Sequence, residues 1–197
     1  MQLEIQCEKC NARFAVIGSA YFCPACGHNS VTQTFSDSLR KIKAKKDGID
    51  VVRKALIESI GKDEAELTCR SLRETCISDG IVAFQKYCEG MYEDFGKIPF
   101  NAFQRLEQGS QLWIIAVQKG YNDWISDEEL KKLNILYQKR HLLSHNEGIV
   151  DSQYINKSGD TAYKEGQRIV IIDKDIDSLV SSLEKLSNGI KSVCSNI

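Results

Sequence analysis

A chain of 197 residues is long enough to bury one hydrophobic core and to carry a small additional module. Its apolar fraction of 42% is that of a globular protein, and a count of two prolines excludes a linker-rich or disordered chain. The formal net charge of −1 excludes a global field that attracts nucleic acid, so such a partner requires a local basic patch.

The N-terminal residues MQLEIQCEKC lack the basic and apolar regions of a signal peptide, and no apolar run is long enough to cross a bilayer. Four of the eight cysteines occur in paired motifs. The other four lie in apolar helical patterns, as buried free thiols usually do: Cys69, Cys76, Cys88 and Cys194. We therefore expect a cytoplasmic protein without membrane contact.

The first motif along the chain is a pair of Cys-x-x-Cys units. Cys7 and Cys10 form the first unit, and Cys23 and Cys26 form the second after twelve intervening residues. Zinc prefers four tetrahedral thiolates, and two such knuckles supply them when a hairpin brings them together. Between the knuckles we expect an apolar strand and a turn at residues 18–19. The spacing therefore predicts a four-cysteine zinc site.

This part of the sequence resembles a zinc ribbon over roughly residues 3 to 30. We assign residues 1–33 to this small β module and residues 34–197 to a separate helical domain. The zinc is expected to be structural, because four thiolates leave no coordination position for water. His28, just beyond the second knuckle, is expected at the surface and not among the ligands.

From Ser36 onward, apolar residues recur at helical spacing. The segment SDSLRKIKAKK also carries a basic run, formed by Arg40, Lys41, Lys43, Lys45 and Lys46. Such a run is usually a solvated helix face, and it is also a local candidate for phosphate contacts. A break in the helix is predicted at Asp47 and Gly48.

Two capping boxes predict further helix starts, Asp63 with Glu66 and Ser126 with Glu129. Gly80 is expected to kink or split the first of these helices. The last helix has a continuous apolar stripe, which consists of Ile176, Leu179, Leu183, Leu186, Ile190 and Val193.

The segment YINKSGDTAYKEGQRIVII predicts a short β-hairpin that turns at residues 158–160. The fold class predicted from the whole sequence is mainly α. We expect a helical bundle with this small β-hairpin, preceded by the small β zinc ribbon.

The stretch QKRHLLSHNEGI contains two of the three histidines, one helical turn apart. Arg140 interrupts an apolar helical row, while His141 and His145 share a neighbouring face. One interpretation is structural: the histidines favour a helix C-terminus, and Arg140 pairs with an acid such as Glu107. A metal site is disfavoured, because the stretch lacks the glutamate of a His-Glu-x-x-His motif and a third histidine.

A third interpretation comes from a family resemblance. Arg140-x4-His145, with the polar His141 directly after the arginine and placed late in a helical bundle, resembles the Arg-x4-6-His motif of the HEPN superfamily. The wider string RHLLSHNEGIVDSQYI extends the resemblance to roughly residues 36–197. Many members are metal-independent ribonucleases of bacterial toxin, anti-phage and stress systems.

The resemblance implies that Arg140 clamps phosphate and that His145 transfers protons. His141 and Asn146 would orient the phosphate or His145. It also implies an RNA substrate, a homodimer that places two copies of the motif in one cleft, and a possible antitoxin or defence-system partner protein. The zinc would take no part in the chemistry.

Two other functions remain open from the sequence. One is a non-catalytic adaptor, whose ribbon and HEPN-like body bind protein or nucleic acid. The other is a target for nucleotide modification by a partner transferase, known for some toxins of the superfamily, with Tyr137 and Tyr154 as candidate acceptors.

Overall fold

The computed structural model describes residues 2–17 and 22–194. These residues form one antiparallel hairpin followed by six α-helices. The elements are β1 (Gln2–Gln6), β2 (Arg13–Ile17), α1 (Val31–Ile60), α2 (Lys62–Tyr92), α3 (Leu106–Val117), α4 (Asp127–His145), α5 (Ser152–Ser158) and α6 (Asp173–Cys194). Short 3₁₀ turns occur at Glu93–Phe95, Ala102–Gln104 and Tyr121–Asp123. The predicted mainly α class is confirmed, and the small β-hairpin of the described residues is the one in the N-terminal module.

The β-hairpin belongs to the N-terminal module. Strand β1 pairs with β2 so that Glu4 lies opposite Ala15 and Gln6 lies opposite Arg13. The strand predicted between the two cysteine pairs is therefore present. The turn predicted at residues 18–19 lies outside the described residues.

Helices α1 and α2 form a long antiparallel pair. The Ser30 hydroxyl caps α1 by accepting the backbone N–H of Gln33 at 3.2 Å. Gly61, at φ 93°, reverses the chain between the two helices. The predicted capping box of Asp63 and Glu66 is wrong, because this glycine lets α2 start at Lys62 without a side-chain cap.

Two predicted interruptions of these helices are also wrong. Helix α1 continues through Gly48, since the neighbouring Ile49 is buried and packing outweighs the helix cost of about 1 kcal/mol for glycine. Helix α2 continues through Gly80. A Cβ at Gly80 would lie 2.8 Å from Leu179 Cδ2, so this glycine permits the close approach of α6.

The basic run on α1 is engaged in ion pairs between helices. Lys43 contacts Glu184 at 2.7 Å, Lys45 contacts Asp79 at 2.7 Å, and Lys46 contacts Asp177 at 2.5 Å. Arg40 and Lys41 both pair with Asp37 on their own helix. The run thus links α1 to α2 and α6, which favours a structural role over phosphate binding.

The core lies between α2, α4 and α6 and is rich in aromatic rings. Trp113 is fully buried and packs edge-on against Tyr92, with ring centroids 5.3 Å apart. The predicted stripe of α6 faces this core, with Val193 half-buried and the other five residues buried. Within residues 2–17 and 22–194, no helix combines the length and apolar character needed to cross a membrane.

The β-hairpin predicted around residues 158–160 is wrong. Asp151 caps the short helix α5 by accepting the Tyr154 N–H at 2.7 Å, and Gly159, at φ 65°, ends it. The following segment is extended, and burial alternates between Ile169 (buried) and Val170 (exposed), which explains the strand-like pattern. It pairs with the chain before α5 through an isolated bridge between Ile149 and Arg168. Backbone hydrogen bonds flank this bridge, from the Val150 N–H to the Gln167 carbonyl at 2.8 Å and from the Ile169 N–H to the Gly148 carbonyl at 2.9 Å.

Candidate functional site

Helix α4 carries the motif, and both of its ends are fixed by local bonds. The predicted capping box is confirmed, because Glu129 N–H donates to the Ser126 hydroxyl at 3.3 Å and Ser126 N–H donates to the Glu129 carboxylate at 3.1 Å. At the other end, Glu147 (φ 51°) and Gly148 (φ 77°) reverse the chain. His145 is therefore the last residue of the helix.

One face of α4 carries a polar stripe. Asn134, Gln138, His141 and His145 follow one another at spacings of four, three and four residues, which places them on one side of the helix. The buried residues of α4 lie outside this stripe: Leu133, Leu136, Tyr137, Lys139 and Leu142.

This stripe lines a cleft of about 560 Å³. The opposite walls come from the turn before α3, the start of α3, and α5. The lining residues are Asn101, Gln104, Arg105, Leu106, Glu107, Asn134, Tyr137, Gln138, Arg140, His141, His145, Gln153 and Lys157. The structure thus brings together three of the four predicted catalytic residues, namely Arg140, His141 and His145.

Within residues 2–17 and 22–194, the guanidinium of Arg140 has no hydrogen-bond or ion-pair partner. Its Nε is buried and makes no hydrogen bond within the described part of the chain. Glu107, the acid expected to pair with it, lines the same cleft, yet no ion pair of the described residues involves Arg140. A half-buried guanidinium without a counter-ion is suited to bind an external anion.

The two histidine rings lie close together in the cleft. Their centroids are 4.7 Å apart and their planes are tilted by 48°. Partial burial lowers the pKa of His141 below its usual 6.5, and the positive charges of His145, Lys157 and Arg140 lower it further. His141 is therefore mostly neutral at pH 7, even though its neighbours attract anions.

Asn146 lies just beyond the cleft, at the end of α4. Its side-chain amide donates to the carbonyl of Ile149 at 2.7 Å, and its backbone N–H donates to the carbonyl of Leu142 at 2.8 Å. The amide thus closes the helix terminus. A role for Asn146 toward phosphate stays a prediction.

Several cleft residues were missed by sequence reasoning. Gln138 has the helical spacing of the two histidines, so periodicity alone was enough to find it. Gln104, Arg105 and Lys157 come from other elements, and no sequence spacing connects them to the motif. Asn134 binds one of these elements to α4, because its side-chain amide donates to the carbonyl of Lys157 at 2.9 Å.

The cleft continues along α4 into a second depression of about 550 Å³. The two share Leu106, Glu107, Asn134 and Lys157, and the second adds Lys131. Since Lys131 and His145 are separated by fourteen residues, the groove extends for roughly 21 Å along the helix axis.

The four cysteines of the N-terminal module form a second candidate site. Their Sγ atoms all lie within 4.8 Å of one another. The Sγ atoms of Cys7 and Cys26 are 3.7 Å apart, and those of Cys10 and Cys23 are 3.5 Å apart. A tetrahedron with metal–sulfur bonds of about 2.3 Å has edges of about 3.8 Å, so the cluster fits a tetrahedral metal ion.

Both cysteine pairs are shaped by the same kind of backbone turn. The residue after each pair has a positive φ, 59° at Asn11 and 73° at Gly27. Their N–H groups donate to the carbonyls of Cys7 and Cys23 at 3.0 and 2.8 Å. His28 is half-buried and lies outside the cluster.

The remaining cysteines agree with the prediction of free thiols. Cys69, Cys76 and Cys88 are buried, and Cys194 is half-buried. Burial raises the pKa of the Cys76 and Cys194 thiols, which keeps them protonated and unreactive at neutral pH.

Comparison of the chain with models of protein families, with curated proteins and with solved structures finds no significant match. The functional argument therefore depends on the two sites themselves.

Proposed function

We propose that the protein is a metal-independent endoribonuclease of the HEPN type, with Arg140 and His145 as catalytic residues. The observation that carries the proposal is the cleft in which the unpartnered guanidinium of Arg140 and the imidazole of His145 lie together. An arginine that binds phosphate and a histidine that titrates near neutrality are the groups this cleavage requires.

The charge of the cleft supports an RNA substrate. Arg105, Arg140 and Lys157 line it against a single carboxylate, Glu107, on a chain whose net charge is −1. Among the described residues, these three cations form no ion pairs, whereas the basic run on α1 is paired with acids. A local positive patch of this kind holds phosphate by neutralising its charge.

The reaction needs two proton transfers. The 2′-hydroxyl oxygen of one nucleotide attacks the adjacent phosphorus and gives its proton to an unprotonated imidazole. The bond between phosphorus and the 5′-oxygen of the next nucleotide breaks, and that oxygen takes a proton from a protonated imidazole. Arg140 stabilises the charge on the phosphorane. The products are a 2′,3′-cyclic phosphate and a free 5′-hydroxyl.

We assign the two proton transfers to the two copies of His145 in a homodimer, as the family resemblance implies. A two-fold axis near the C-terminal end of α4 would bring two copies of Arg140 and His145 into one composite cleft. His141 acts as a positioning residue, because the lowered pKa of its ring disfavours the protonated form that a general acid requires. Two protonated rings at this separation would repel each other.

The proposed chemistry uses no metal ion in the cleft. Glu107 is the one carboxylate in the lining, whereas magnesium and calcium sites are built from several oxygen ligands. In the N-terminal module we propose a zinc ion bound by Cys7, Cys10, Cys23 and Cys26. With four thiolate ligands the zinc would only stabilise the fold of the ribbon.

The biological setting is proposed from the resemblance: a bacterial cytoplasm and a toxin, anti-phage or stress system with an antitoxin or defence-system partner. A non-catalytic adaptor is the alternative. It would use the same cleft to bind protein or nucleic acid without cutting it.

The proposal is tested by incubating the purified chain with mixed-sequence RNA in chelator, on a time scale that leaves the ribbon loaded. We expect fragments with 2′,3′-cyclic phosphate ends and a dimer by light scattering. Mixing His145→Ala chains with wild type should lower activity beyond simple dilution. A monomer that cleaves at full rate would contradict the composite site, and RNA that stays intact would favour the adaptor.

A further inference from the structure

Carboxamide side chains form much of the cleft wall. Asn101, Gln104, Asn134, Gln138 and Gln153 all line it, alongside the cations and histidines described above. A phosphate site requires donors only. Amides also present acceptors, so their number indicates that the ligand carries a group with both donors and acceptors.

Two of these amides are held at fixed positions. Gln138 lies on α4 between the buried residues Tyr137 and Lys139, one turn before His141. Gln104 ends the 3₁₀ turn after the buried Phe103, whose ring packs 6.0 Å from that of Trp113. Both glutamines are themselves half-buried. Their backbones are therefore anchored by the core on either side of the cleft.

The side-chain amides of Gln104 and Gln138 have no partners among the described residues. No hydrogen bond of either side chain occurs within residues 2–17 and 22–194, in contrast to Asn134, whose amide bonds to the carbonyl of Lys157. Half-buried amides that lack protein partners lose part of their hydration and gain most from a ligand with matching groups.

We propose that Gln104 and Gln138 form a nucleobase subsite beside the phosphate-binding Arg140, and that this subsite selects adenine. A carboxamide donates and accepts through adjacent atoms, which matches the N7 acceptor and N6 amino donor of adenine. The corresponding N7–O6 edge of guanine presents two acceptors, so an amide oxygen placed to accept from the N6 amino group of adenine would face an acceptor there. Bases of single-stranded RNA expose these edges to protein.

This inference rests on the proposed function, since RNA must enter the cleft. It adds that cleavage depends on the base next to the scissile phosphate. A good bidentate contact to a base is worth roughly 5- to 150-fold in discrimination. We expect a preference within that range.

The test uses the full chain and two matched probes, adenosine 3′-monophosphate and inosine 3′-monophosphate. Inosine replaces the 6-amino donor with an oxygen acceptor, so that its N7 edge presents two acceptors, and its N1 carries a proton that adenine N1 lacks. Affinities are measured by NMR titration for wild type, Gln104→Ala, Gln138→Ala and the double variant. Gln138→Glu keeps the side-chain volume but removes the donor. Gln111→Ala is the control, because Gln111 lines only the second depression.

We expect wild type and Gln111→Ala to bind adenylate at least fivefold more tightly than inosinate. The preference should fall in each cleft variant, including Gln138→Glu, and disappear in the double variant. Equal binding of both probes by wild type, or a preference that survives in the double variant, would overturn the subsite.

The two proposals fail in different ways. RNA cleavage without any adenine preference would remove the subsite and leave the ribonuclease. An amide-dependent adenylate preference in a protein that does not cleave RNA would retain the subsite as a binding site and remove the ribonuclease.

Discussion

The imidazole rings of His141 and His145 lie 4.7 Å apart in one wall of the cleft. At this separation a proton on one ring disfavours a proton on the other. Partial burial and the nearby charges of His145, Lys157 and Arg140 lower the pKa of His141. The pair therefore gives the cleft one ring that is mostly neutral at pH 7.

The first prediction concerns the titration of His141. Followed by NMR through its ring protons, the pKa of His141 should lie below 6.5 in wild type. Lys157→Gln should raise that pKa, because it removes one of the positive charges that lower it. Lys132→Gln is the control, since Lys132 lies outside the cleft and should leave the pKa unchanged. A wild-type pKa above 6.5 would be incompatible with the described environment.

The same pKa shift predicts the pH dependence of stability. Because the pKa of His141 is lower in the folded state, the unfolded chain binds the proton first as pH falls below 6.5. The free energy of unfolding should then decrease until the folded-state pKa is passed. Urea unfolding of wild type and His141→Gln at pH 7.5 and 5.5 should show a smaller loss in the variant.

The second prediction concerns the path of RNA along α4. Lys131 lines the groove that continues from the cleft, whereas the neighbouring Lys132 lines a separate depression with Tyr163. In a His145→Ala background that prevents cleavage, Lys131→Glu should weaken binding of single-stranded RNA. It should also reduce the slope of log affinity against log salt concentration by about one.

Lys132→Glu is the control, because Lys132 has the same charge as Lys131, is also exposed and is its neighbour on α4. This variant should have little effect on RNA affinity. The affinities are measured by fluorescence anisotropy titrations at several salt concentrations. Equal weakening by the two variants would indicate general electrostatics and not a defined groove.

The third prediction concerns the metal. We expect one zinc per chain in elemental analysis of wild type. Cys23→Ser should lose it and unfold the ribbon while leaving most of the helical circular dichroism, because metal binding and folding are coupled in small ribbons. Cys194→Ser is the control, since Cys194 lies outside the cluster. A wild-type protein made with ample zinc and found free of metal would refute the site.

The fourth prediction compares two glycines in helices. A Cβ at Gly189 would lie 2.7 Å from Trp124 Cδ2, so Gly189→Ala should destabilise the protein by about 1–3 kcal/mol. Gly48 lies inside α1, and a Cβ at Gly48 would meet no atom within 4 Å. Gly48→Ala should instead stabilise by about 0.5–1 kcal/mol, because alanine favours the helix. Urea unfolding measures both, and a stable Gly189→Ala variant would contradict the close contact of α6 with Trp124.

Features set by neighbouring residues were predictable from the sequence. The cysteine cluster follows from two short spacings, and the start of α4 follows from Ser126 and Glu129. Gly148, just beyond the end of α4, takes a positive φ that glycine adopts readily. The bonds that shape the start of α4 and each Cys-x-x-Cys turn span three or four residues.

Features that depend on tertiary packing were not predictable. The alternating burial around Ile169 is real, but the partner strand is absent from the described residues, and Asp151 starts a helix there instead. Gly80 suggested a break because its packing partner Leu179 lies on a distant segment, and Gly48 did so because the burial of the neighbouring Ile49 depends on tertiary packing. The same holds for Arg105 and Lys157, which join the cleft only after α4 packs beside them.

The most direct test of the central claim is RNA cleavage by purified wild type, Arg140→Ala and His145→Ala. His28→Ala serves as the control, because it removes a histidine outside the cleft. Loss of oriented acid–base catalysis typically costs about a hundredfold to ten-thousandfold in rate. We predict losses in that range for both cleft variants, with circular dichroism and dimer unchanged and with His28→Ala as active as wild type. A His145→Ala protein that cuts RNA as fast as wild type, or that unfolds, would contradict the account and leave the two histidines of α4 with a structural role.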